Sequence, residues 1–228
     1  MKSPSIKQQT LDCQSAYDRW APGYDAHRNP TVAMARMALE RDVTDVKGLN
    51  IFEFGCGTGE NLHNLGGKGA GSLTGVDVSE GMLSLARARL GAFEPCLFQI
   101  TEREPDFVTD RKFDLILAVL VLEHVNDIDH FFRVAKGHMA ERGSIYVSEL
   151  HPAQSSKGVR AHFRDGDVEI STHSFFRTER EFTGAAERAG LRTDFVRSWI
   201  PDDEAVKREA KTQKYRDQPL LLTMRFVK

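Results

Sequence analysis

Short apolar runs alternate along the chain with segments whose apolar residues recur at helical spacing. Extended strands are predicted at 50–54, 72–76, 96–100, 115–119, 144–150, 191–199 and 220–227. Helices are predicted from about Glu60, after Ser79 as an N-cap, after Asp127, and over 179–189. The run 115–119 is apolar throughout, as in a strand buried on both faces. Strands that alternate with helices predict an α/β fold built on a parallel sheet.

The two ends of this pattern carry additional segments. Residues 13–45 are helical in character, with interruptions at Pro22-Gly23 and Asn29-Pro30, and residues 1–45 are predicted to form a cap over the ligand edge of the sheet. Residues 151–178 follow the fifth strand and are predicted to form an insertion over the acceptor. No repeat, low-complexity tract or linker is visible, so we predict one domain over 1–228.

A glycine-rich turn follows the first predicted strand and indicates a cofactor site. Residues 53–59 read Glu-Phe-Gly-Cys-Gly-Thr-Gly, and glycines at a strand exit let the backbone approach a ligand closely. Asp77 ends the next apolar run, where an acid can accept two hydrogen bonds from a ribose diol. A dinucleotide site would need glycine at position 60, but Glu60 stands there and would repel a pyrophosphate. Glu53 instead suits a cofactor that carries positive charge.

The pattern Glu-x-Gly-x-Gly-x-Gly resembles motif I of the class I S-adenosylmethionine (SAM)-dependent methyltransferases. Residues 113–116 (Phe-Asp-Leu-Ile), 122–125 (Leu-Glu-His-Val) and 140–144 (Ala-Glu-Arg-Gly-Ser) occupy the order and spacing of motifs IV and V in the small-molecule branch. The resemblance implies a Rossmann-like, doubly wound, seven-stranded sheet with helices on both faces, an antiparallel last strand and an N-terminal helical cap. It implies SAM as cofactor and S-adenosylhomocysteine (SAH) as product.

The same resemblance assigns cofactor residues. Glu53 and the backbone of Gly55 and Gly57 would serve the methionine end of SAM, Asp77 the ribose, and Tyr17 and Tyr24 would shield the cofactor as the cap closes. The remaining expected cofactor contacts are Cys56 (through its backbone), Asn61, Val78, Met82, Thr101 and Ala118. Many relatives have an acid after the third strand for the adenine amino group. Residues 99–102 contain no Asp, so that contact is expected from Thr101, Glu102 or backbone.

Two histidines are candidate catalytic bases. In phosphoethanolamine methyltransferases, a histidine at the distance of His124 from the Phe-Asp motif pairs with an N-terminal tyrosine, and Tyr24 is the expected counterpart here. His151 ends the fifth strand, where a neutral imidazole can accept a proton. The alternatives are that His124 caps or packs under its helix and that His151 faces solvent beside Pro152.

The insertion is expected to select the acceptor. Its aromatic and imidazole side chains would wall an apolar substrate, and two arginines would hold a carboxylate or phosphate. These residues are Phe163, His173, Phe175, Phe176, Arg160 and Arg164. The alternative is that the aromatic side chains pack among themselves.

Composition narrows the partners. A formal net charge of −2 with scattered basic residues argues against a nucleic-acid partner, and the longest apolar run, 115–122, is too short to span a bilayer. Three distant cysteines argue against a disulfide framework and a zinc site, and suit a reducing cytosol. We therefore predict a cytoplasmic monomer or homodimer that binds a small-molecule acceptor, with no membrane, nucleic acid or metal.

The predicted function is SAM-dependent methyl transfer to an O or N atom of a small metabolite, with secondary-metabolite biosynthesis as one setting. A nucleic-acid methyltransferase is one alternative. It is disfavoured by the charge and by Val-Leu-Val-Leu at 119–122, where enzymes that methylate base amines resemble one another in having Asn/Asp-Pro-Pro-Tyr. A non-catalytic SAM-binding protein is a second alternative. An NAD(P)-dependent oxidoreductase is a third, disfavoured by Glu60.

Overall fold

The computed structural model describes residues 7–101 and 109–228. Its strands are β1 (Lys7–Leu11), β2 (Asn50–Phe54), β3 (Ser72–Asp77), β4 (Cys96–Gln99), β5 (Phe113–Val119), β6 (Met139–Leu150), β7 (His162–Asp165), β8 (Val168–Thr172), β9 (Arg192–Trp199) and β10 (Leu221–Val227). Its α-helices are α1 (Cys13–Trp20), α2 (Pro30–Asp42), α3 (Glu60–Gly67), α4 (Glu80–Leu90), α5 (Ile128–His138), α6 (Pro152–Ser155), α7 (Glu179–Arg188) and α8 (Asp203–Arg208). Short 3-10 helices include Ala21–Gly23 and Leu122–His124.

The main sheet has seven strands in the order β4-β3-β2-β5-β6-β10-β9. β10 runs antiparallel to both of its neighbours, β6 and β9, and the other pairings are parallel. The predicted Rossmann-like fold with an antiparallel last strand is confirmed. Strand order reverses between β2 and β5, and ligands of such sheets bind outside the carboxyl ends of the strands at this switch point.

Strand β6 begins earlier than the predicted start at 144. Met139 already pairs with Phe113, and after a register shift Ser144 pairs with Leu115. Gly143 permits this close passage, since a Cβ there would lie 2.7 Å from the Phe113 carbonyl oxygen. The residues before Ser144 have the polar character of a turn, which explains why only the later part of the strand was predicted.

A second sheet of three strands, in the order β1-β8-β7, was not predicted from the sequence. β7 and β8 form a hairpin within the insertion, and β1 pairs in parallel with β8 from Lys7↔Val168 to Leu11↔Thr172. β1 is polar and largely exposed, so its own pattern does not indicate a strand. It is extended because β8 offers it an edge, and this pairing joins the N-terminal cap to the insertion.

Apolar cores cover both faces of the main sheet. Ile116, Phe132 and Phe226 are fully buried in one cluster, and Ile51 and Leu62 in another. The two cores hold the carboxyl ends of β2, β3 and β5 in fixed positions. No helix within the described part of the chain is long and apolar enough to cross a bilayer.

Candidate active site

The glycine loop after β2 is held against the end of β3. The N–H groups of Gly55 and Cys56 both donate to the Val76 carbonyl, at 2.9 Å each. Gly55 and Gly57 have φ of +70° and +53°, conformations that glycine adopts without strain. A Cβ on Gly55 would lie only 2.3 Å from Cγ2 of Val121. The loop therefore requires glycine at position 55 for both conformation and space.

Asp77 is the polar anchor of this loop. Its carboxylate accepts hydrogen bonds from the backbone N–H of Gly57 at 2.8 Å and of Ser79 at 2.9 Å. The residue is only 8% exposed, and this burial raises the pKa of the Asp77 carboxyl despite both hydrogen bonds. Each carboxylate oxygen keeps a lone pair that can accept a further hydrogen bond.

Glu53 lies beneath the loop with an unused acceptor. Asn61 donates from Nδ2 to Oε1 at 2.7 Å, while Oε2 is buried without a hydrogen-bond partner. Burial raises the pKa of Glu53 to about 8. A buried acceptor without a donor is unfavourable, so this site fits a ligand that brings a donor or a positive charge.

A cavity of about 1060 Å³ opens at the switch point. We call its first part the cofactor half, whose lining residues are Gly55, Gly57, Asp77, Val78, Met82 and Thr101. We call its second part the acceptor half, whose lining residues include Leu11, Asp12, Tyr17, Tyr24, Val121, His124, Val125, Asp127, His173 and Phe175. Glu102, the other residue considered for adenine, lies outside the described residues.

Four of the expected cofactor residues, Glu53, Cys56, Asn61 and Ala118, are not among the residues that line the cavity. Ala118 is fully buried in the core of β5. Cys56 is buried, its backbone N–H is bonded to Val76, and its thiol packs towards Gly75. The expected backbone contact from Cys56 is therefore not available through this N–H. Asn61 acts through Glu53.

His124 is paired with Tyr17 and not, as predicted, with Tyr24. Tyr17 Oη lies 3.0 Å from His124 Nε2. The other ring nitrogen, Nδ1, lies 3.3 Å from the carbonyl oxygen of His173 and 3.3 Å from Oγ1 of Thr172. A carbonyl can only accept, so Nδ1 carries the proton and Nε2 accepts from the Tyr17 hydroxyl.

The correction has a simple structural reason. Tyr17 lies on α1, whereas Tyr24 follows the break at Pro22, and its ring packs 6.4 Å from that of Tyr17. Burial raises the pKa of Tyr17 well above its usual range and that of Tyr24 to about 12. Both phenols are neutral at physiological pH.

Two residues missed by the sequence reasoning hold His124 in place. Glu149 accepts through Oε1 from the backbone N–H of Val121 at 3.0 Å and of Leu122 at 2.7 Å. From the other side, the Arg177 guanidinium donates to carbonyl oxygens of the 3-10 turn and the residues after it. These belong to Leu122 at 2.8 Å, Asn126 at 2.9 Å and Val125. The one available signal for Glu149 was a carboxylate within an otherwise apolar run.

The strand exit before this turn is strained. Leu120 has a φ of +53°, which is rare for residues other than glycine, and it lines the cavity. Its N–H donates to the Ser148 carbonyl at 2.8 Å. Strain of this kind is retained where the surrounding structure enforces it, commonly beside a functional site.

The N-terminal cap is fastened to the cofactor half by carboxylates that were also missed. Asp18 accepts from Ser79 Oγ at 2.6 Å and from Gly81 N–H at 2.9 Å. Asp25 accepts from Thr58 Oγ1 at 2.9 Å and from Arg89 at 2.6 Å. These contacts bring α1, and with it Tyr17, over the glycine loop.

The hairpin β7–β8 supports α1 from its outer side. The rings of Trp20 and Phe163 stack at 4.7 Å, and Arg19 pairs with Asp165 at 2.5 Å. Phe163 is thus buried against the cap and does not line the cavity, which agrees with the alternative that the aromatic side chains pack together.

Other residues of the insertion divide between cavity and surface. His173 and Phe175 line the cavity, while Phe176 is 46% exposed and does not. Arg160 and Arg164 are likewise absent from the cavity wall.

The structure does not bring His151 to the cavity. Its Nδ1 accepts from the N–H of Ala153 at 3.1 Å, and so caps the start of α6. Its Nε2 lies 3.1 Å from Ser198 Oγ. Both ring nitrogens are engaged outside the cavity, so the predicted catalytic residue His151 is not part of the candidate site.

Comparisons with known proteins agree with this geometry. Residues 24–194 match the family model described as a methyltransferase domain. A demethylmenaquinone methyltransferase of Tropheryma whipplei is 33% identical over 149 residues, 63% of this chain and 61% of that protein. A malonyl-[acyl-carrier protein] O-methyltransferase of Geobacter sulfurreducens is 27% identical over 192 residues, 79% of this chain and 70% of that protein. The match to the first of these spans less than two thirds of its length.

Solved structures share the fold. A SAM-dependent methyltransferase from Mesorhizobium loti superposes with a TM-score of 0.73 at 22% identity, over 88% of this chain and 100% of that one. The family match covers most of the chain and includes the glycine loop, Asp77 and His124. The chain therefore belongs to the methyltransferase-domain family.

Proposed function

We propose that this protein transfers the methyl group of SAM to an oxygen or nitrogen atom of a small-molecule acceptor. The observation that carries this proposal is that the Tyr17–His124 pair and Asp77 open onto one continuous cavity. Bound SAM supplies a methyl group on a sulfonium, which is already activated for transfer. The chain's own task is to align the acceptor and exclude water, and such positioning contributes roughly 7–11 kcal/mol to rate.

The residues of the cofactor half fit this ligand. The free lone pairs of Asp77 suit ribose hydroxyl groups, and the unpartnered Oε2 of Glu53 suits the ammonium of the methionine end. Gly55 and Gly57 expose backbone without a Cβ along the same wall. Val78 and Met82 add apolar surface, and Thr101 adds a hydroxyl group.

Tyr17 and His124 provide a route for the acceptor's proton. Neutral Tyr17 can accept a proton at its oxygen from an acceptor hydroxyl or amine while its own proton passes to Nε2 of His124. The imidazolium formed would keep its Nδ1 contact with the His173 carbonyl and has the Glu123 carboxylate 3.9 Å from Nε2. This relay matters only for an acceptor that holds a proton at working pH.

Other features support the wider assignment. The demethylmenaquinone methyltransferase named above acts, by its name, on a small metabolite, which supports a small-molecule acceptor here. A net charge of −2 disfavours nucleic acid as partner. Cys13, Cys56 and Cys96 form no disulfide with one another, which suits the reducing cytoplasm.

The test is an incubation of purified protein and methyl-labelled SAM with a bacterial metabolite extract. We expect SAH to form together with a labelled small-molecule product detected by mass spectrometry. His124→Gln should bind SAM normally and form little product. SAM binding without SAH in any extract would instead indicate a non-catalytic SAM-binding protein, and tight binding of NADH an oxidoreductase.

A further inference from the structure

The acceptor half is lined by carboxylates, imidazoles and apolar side chains, without lysine or arginine. Among the described residues that line the cavity are the carboxylates of Asp12 and Asp127, with Asp77 in the cofactor half, and none is lysine or arginine. The lining groups that could become cationic are the imidazoles of His124, His130, His138 and His173. Around them lie apolar and aromatic side chains, including Leu11, Val121, Val125 and Phe175.

The guanidinium groups near the cavity are engaged elsewhere. The guanidinium of Arg177 donates hydrogen bonds to the carbonyl oxygens of residues 122, 125, 126 and 175. Arg19 is paired with Asp165 on the outer face of α1. Arg89 donates to Asp25 and Thr58 behind the glycine loop. A carboxylate or phosphate in the acceptor half would therefore find no free cation among these groups.

Two helix N-termini face the cavity, and each is already capped by an acid of the chain. Asp12 caps α1, accepting from Ser15 N–H at 2.7 Å and Ser15 Oγ at 2.9 Å. Asp127 caps α5, accepting from His130 N–H at 2.8 Å. The hydrogen bonds from Ser15 lower the pKa of Asp12, which favours its charged form. The positions where a helix would bind an anion are thus filled by carboxylates.

We propose that the acceptor is a small, largely apolar molecule whose cavity-bound part is neutral or cationic and carries no carboxylate or phosphate. This inference rests on the proposed methyl transfer and specifies its substrate class. An anionic acceptor would lose its hydration without a countercharge and would face Asp12 and Asp127. A hydroxyl or amine on an apolar frame meets the Tyr17–His124 pair and the apolar wall without that penalty.

The first experiment measures binding of three matched probes to the protein loaded with SAH. The probes are 4-methylcatechol, dopamine and 3,4-dihydroxybenzoate, which share a ring and two hydroxyl groups but are neutral, cationic and anionic. Titrations are run at pH 8, where an imidazole with the reference pKa of about 6.5 carries no charge. We expect the benzoate to bind at least about tenfold more weakly than the other two.

Charge-removing variants identify the cause of this selectivity. Asp12→Asn and Asp127→Asn keep a good N-cap, because asparagine caps helices as well as aspartate does. Each substitution should reduce the ratio of the dissociation constants of the benzoate and 4-methylcatechol several-fold. Asp202→Asn is the matched control, since Asp202 caps α8 by accepting from Ala205 N–H at 2.9 Å and does not line the cavity. It should leave the preference unchanged.

The second experiment separates the substrate class from the methyl transfer itself. A metabolite extract is divided by anion exchange, and both fractions are incubated with labelled SAM. We expect labelled product from the unretained fraction. No SAH from either fraction would contradict the proposed function, and probe binding alone would then decide the charge preference. The charge proposal is overturned if the benzoate binds within threefold of 4-methylcatechol, or if none of the probes binds and product arises only from the retained fraction.

Discussion

The two halves of the cavity are built in different ways. In the cofactor half, Gly57 bonds to a carboxylate 20 residues away and Glu53 to an amide 8 residues away. In the acceptor half, Tyr17 bonds to His124 across 107 residues, and on the outer face of the same helix Arg19 pairs with Asp165 across 146. One half is thus assembled from neighbouring segments of chain, and the other from segments that meet only in the folded protein.

This difference has a consequence for function. The cofactor half consists mainly of backbone groups at strand exits, which hold a ligand whatever is methylated. The acceptor half consists of side chains on the cap, the 3-10 turn and the insertion, which are free to vary on a fixed scaffold. Changes in the first half should therefore alter SAM binding, and changes in the second should alter turnover.

The largest effect is expected in the acceptor half. Tyr17→Phe and His124→Gln each interrupt the proton route and should lower kcat by about 10²–10⁴-fold, the usual contribution of acid–base catalysis. SAM affinity, measured by calorimetry, should stay within about twofold of wild type in both.

Tyr24→Phe is the matched control for this pair. Its ring also lines the cavity, but His124 Nε2 is bonded to Tyr17. We expect a loss of less than about tenfold in kcat. If Tyr24→Phe is as damaging as Tyr17→Phe, the relay has been assigned to the wrong tyrosine.

The next effect concerns the stability of the glycine loop. Gly55→Ala should lower the free energy of unfolding by about 1–2 kcal/mol for its positive φ and by a further 1–3 kcal/mol or so for the collision with Val121. Gly57 has a φ of +53° and no atom within 4 Å of an added Cβ, so Gly57→Ala should cost only the roughly 1–2 kcal/mol that arises from the positive φ. Urea unfolding of both variants without SAM measures the difference, and equal losses would argue against the close contact.

A smaller effect is expected on SAM affinity. Asp77→Asn removes a charged acceptor and should weaken SAM binding by roughly 1.5–3 kcal/mol, about 10–150-fold. Asp114→Asn is the control, because Asp114 accepts from Asn50 N–H at 2.9 Å at the start of β2 and does not line the cavity. Unchanged affinity in Asp77→Asn would remove Asp77 from the ribose site.

The pH dependence distinguishes two buried acids, one near each half. Burial raises the pKa of Glu53 and of Glu149 to about 8 each. Their folded-state pKa values exceed the unfolded ones, so they contribute to a fall in stability as pH rises from about 4.5 to about 8. At pH 7 a ligand ammonium beside Glu53 would lower its pKa and release a proton.

Calorimetry of SAM binding in buffers of different ionisation enthalpy measures this proton. Wild type and Glu149→Gln should release a fraction of one proton at pH 7, and Glu53→Gln should release none. Affinity in wild type should rise as pH approaches 8. Release that persists in Glu53→Gln would assign the ammonium to another carboxylate.

The smallest effect concerns the orientation of the His124 ring. Thr172→Val removes the hydroxyl that lies 3.3 Å from Nδ1, and should lower kcat about 2–12-fold, equivalent to roughly 0.5–1.5 kcal/mol, and shift its pH profile. Ser171→Ala, which alters the neighbouring hydroxyl facing Thr10, should change neither. A loss of activity without a shifted profile would indicate that Thr172 only supports the fold.

The cofactor half could be predicted from the sequence more fully than the acceptor half. The strands of the main sheet, the glycine loop and Asp77 were predictable because each depends on a local pattern, whereas the antiparallel direction of the last strand was predicted from the family resemblance. The partner of His124 was not, since no local feature distinguishes Tyr17 from Tyr24 until α1 is placed by Asp18. Strand β1 and the burial of Phe163 likewise depend on pairing between distant segments. Glu149 and Arg177 were missed because they act through hydrogen bonds to backbone groups.

The pairing of β1 with β8 has a further consequence for protein engineering. Residues 162–172 form a hairpin whose main-chain partner outside itself is β1. A hairpin taken from another protein would therefore need an edge strand that pairs with β1, an aromatic side chain that stacks on Trp20 and a carboxylate that pairs with Arg19. The strands that carry the glycine loop and Asp77 would not need to change. We accordingly expect that substrate range can be transferred between such proteins by exchanging the N-terminal strand and the hairpin together, and not by exchanging the hairpin alone.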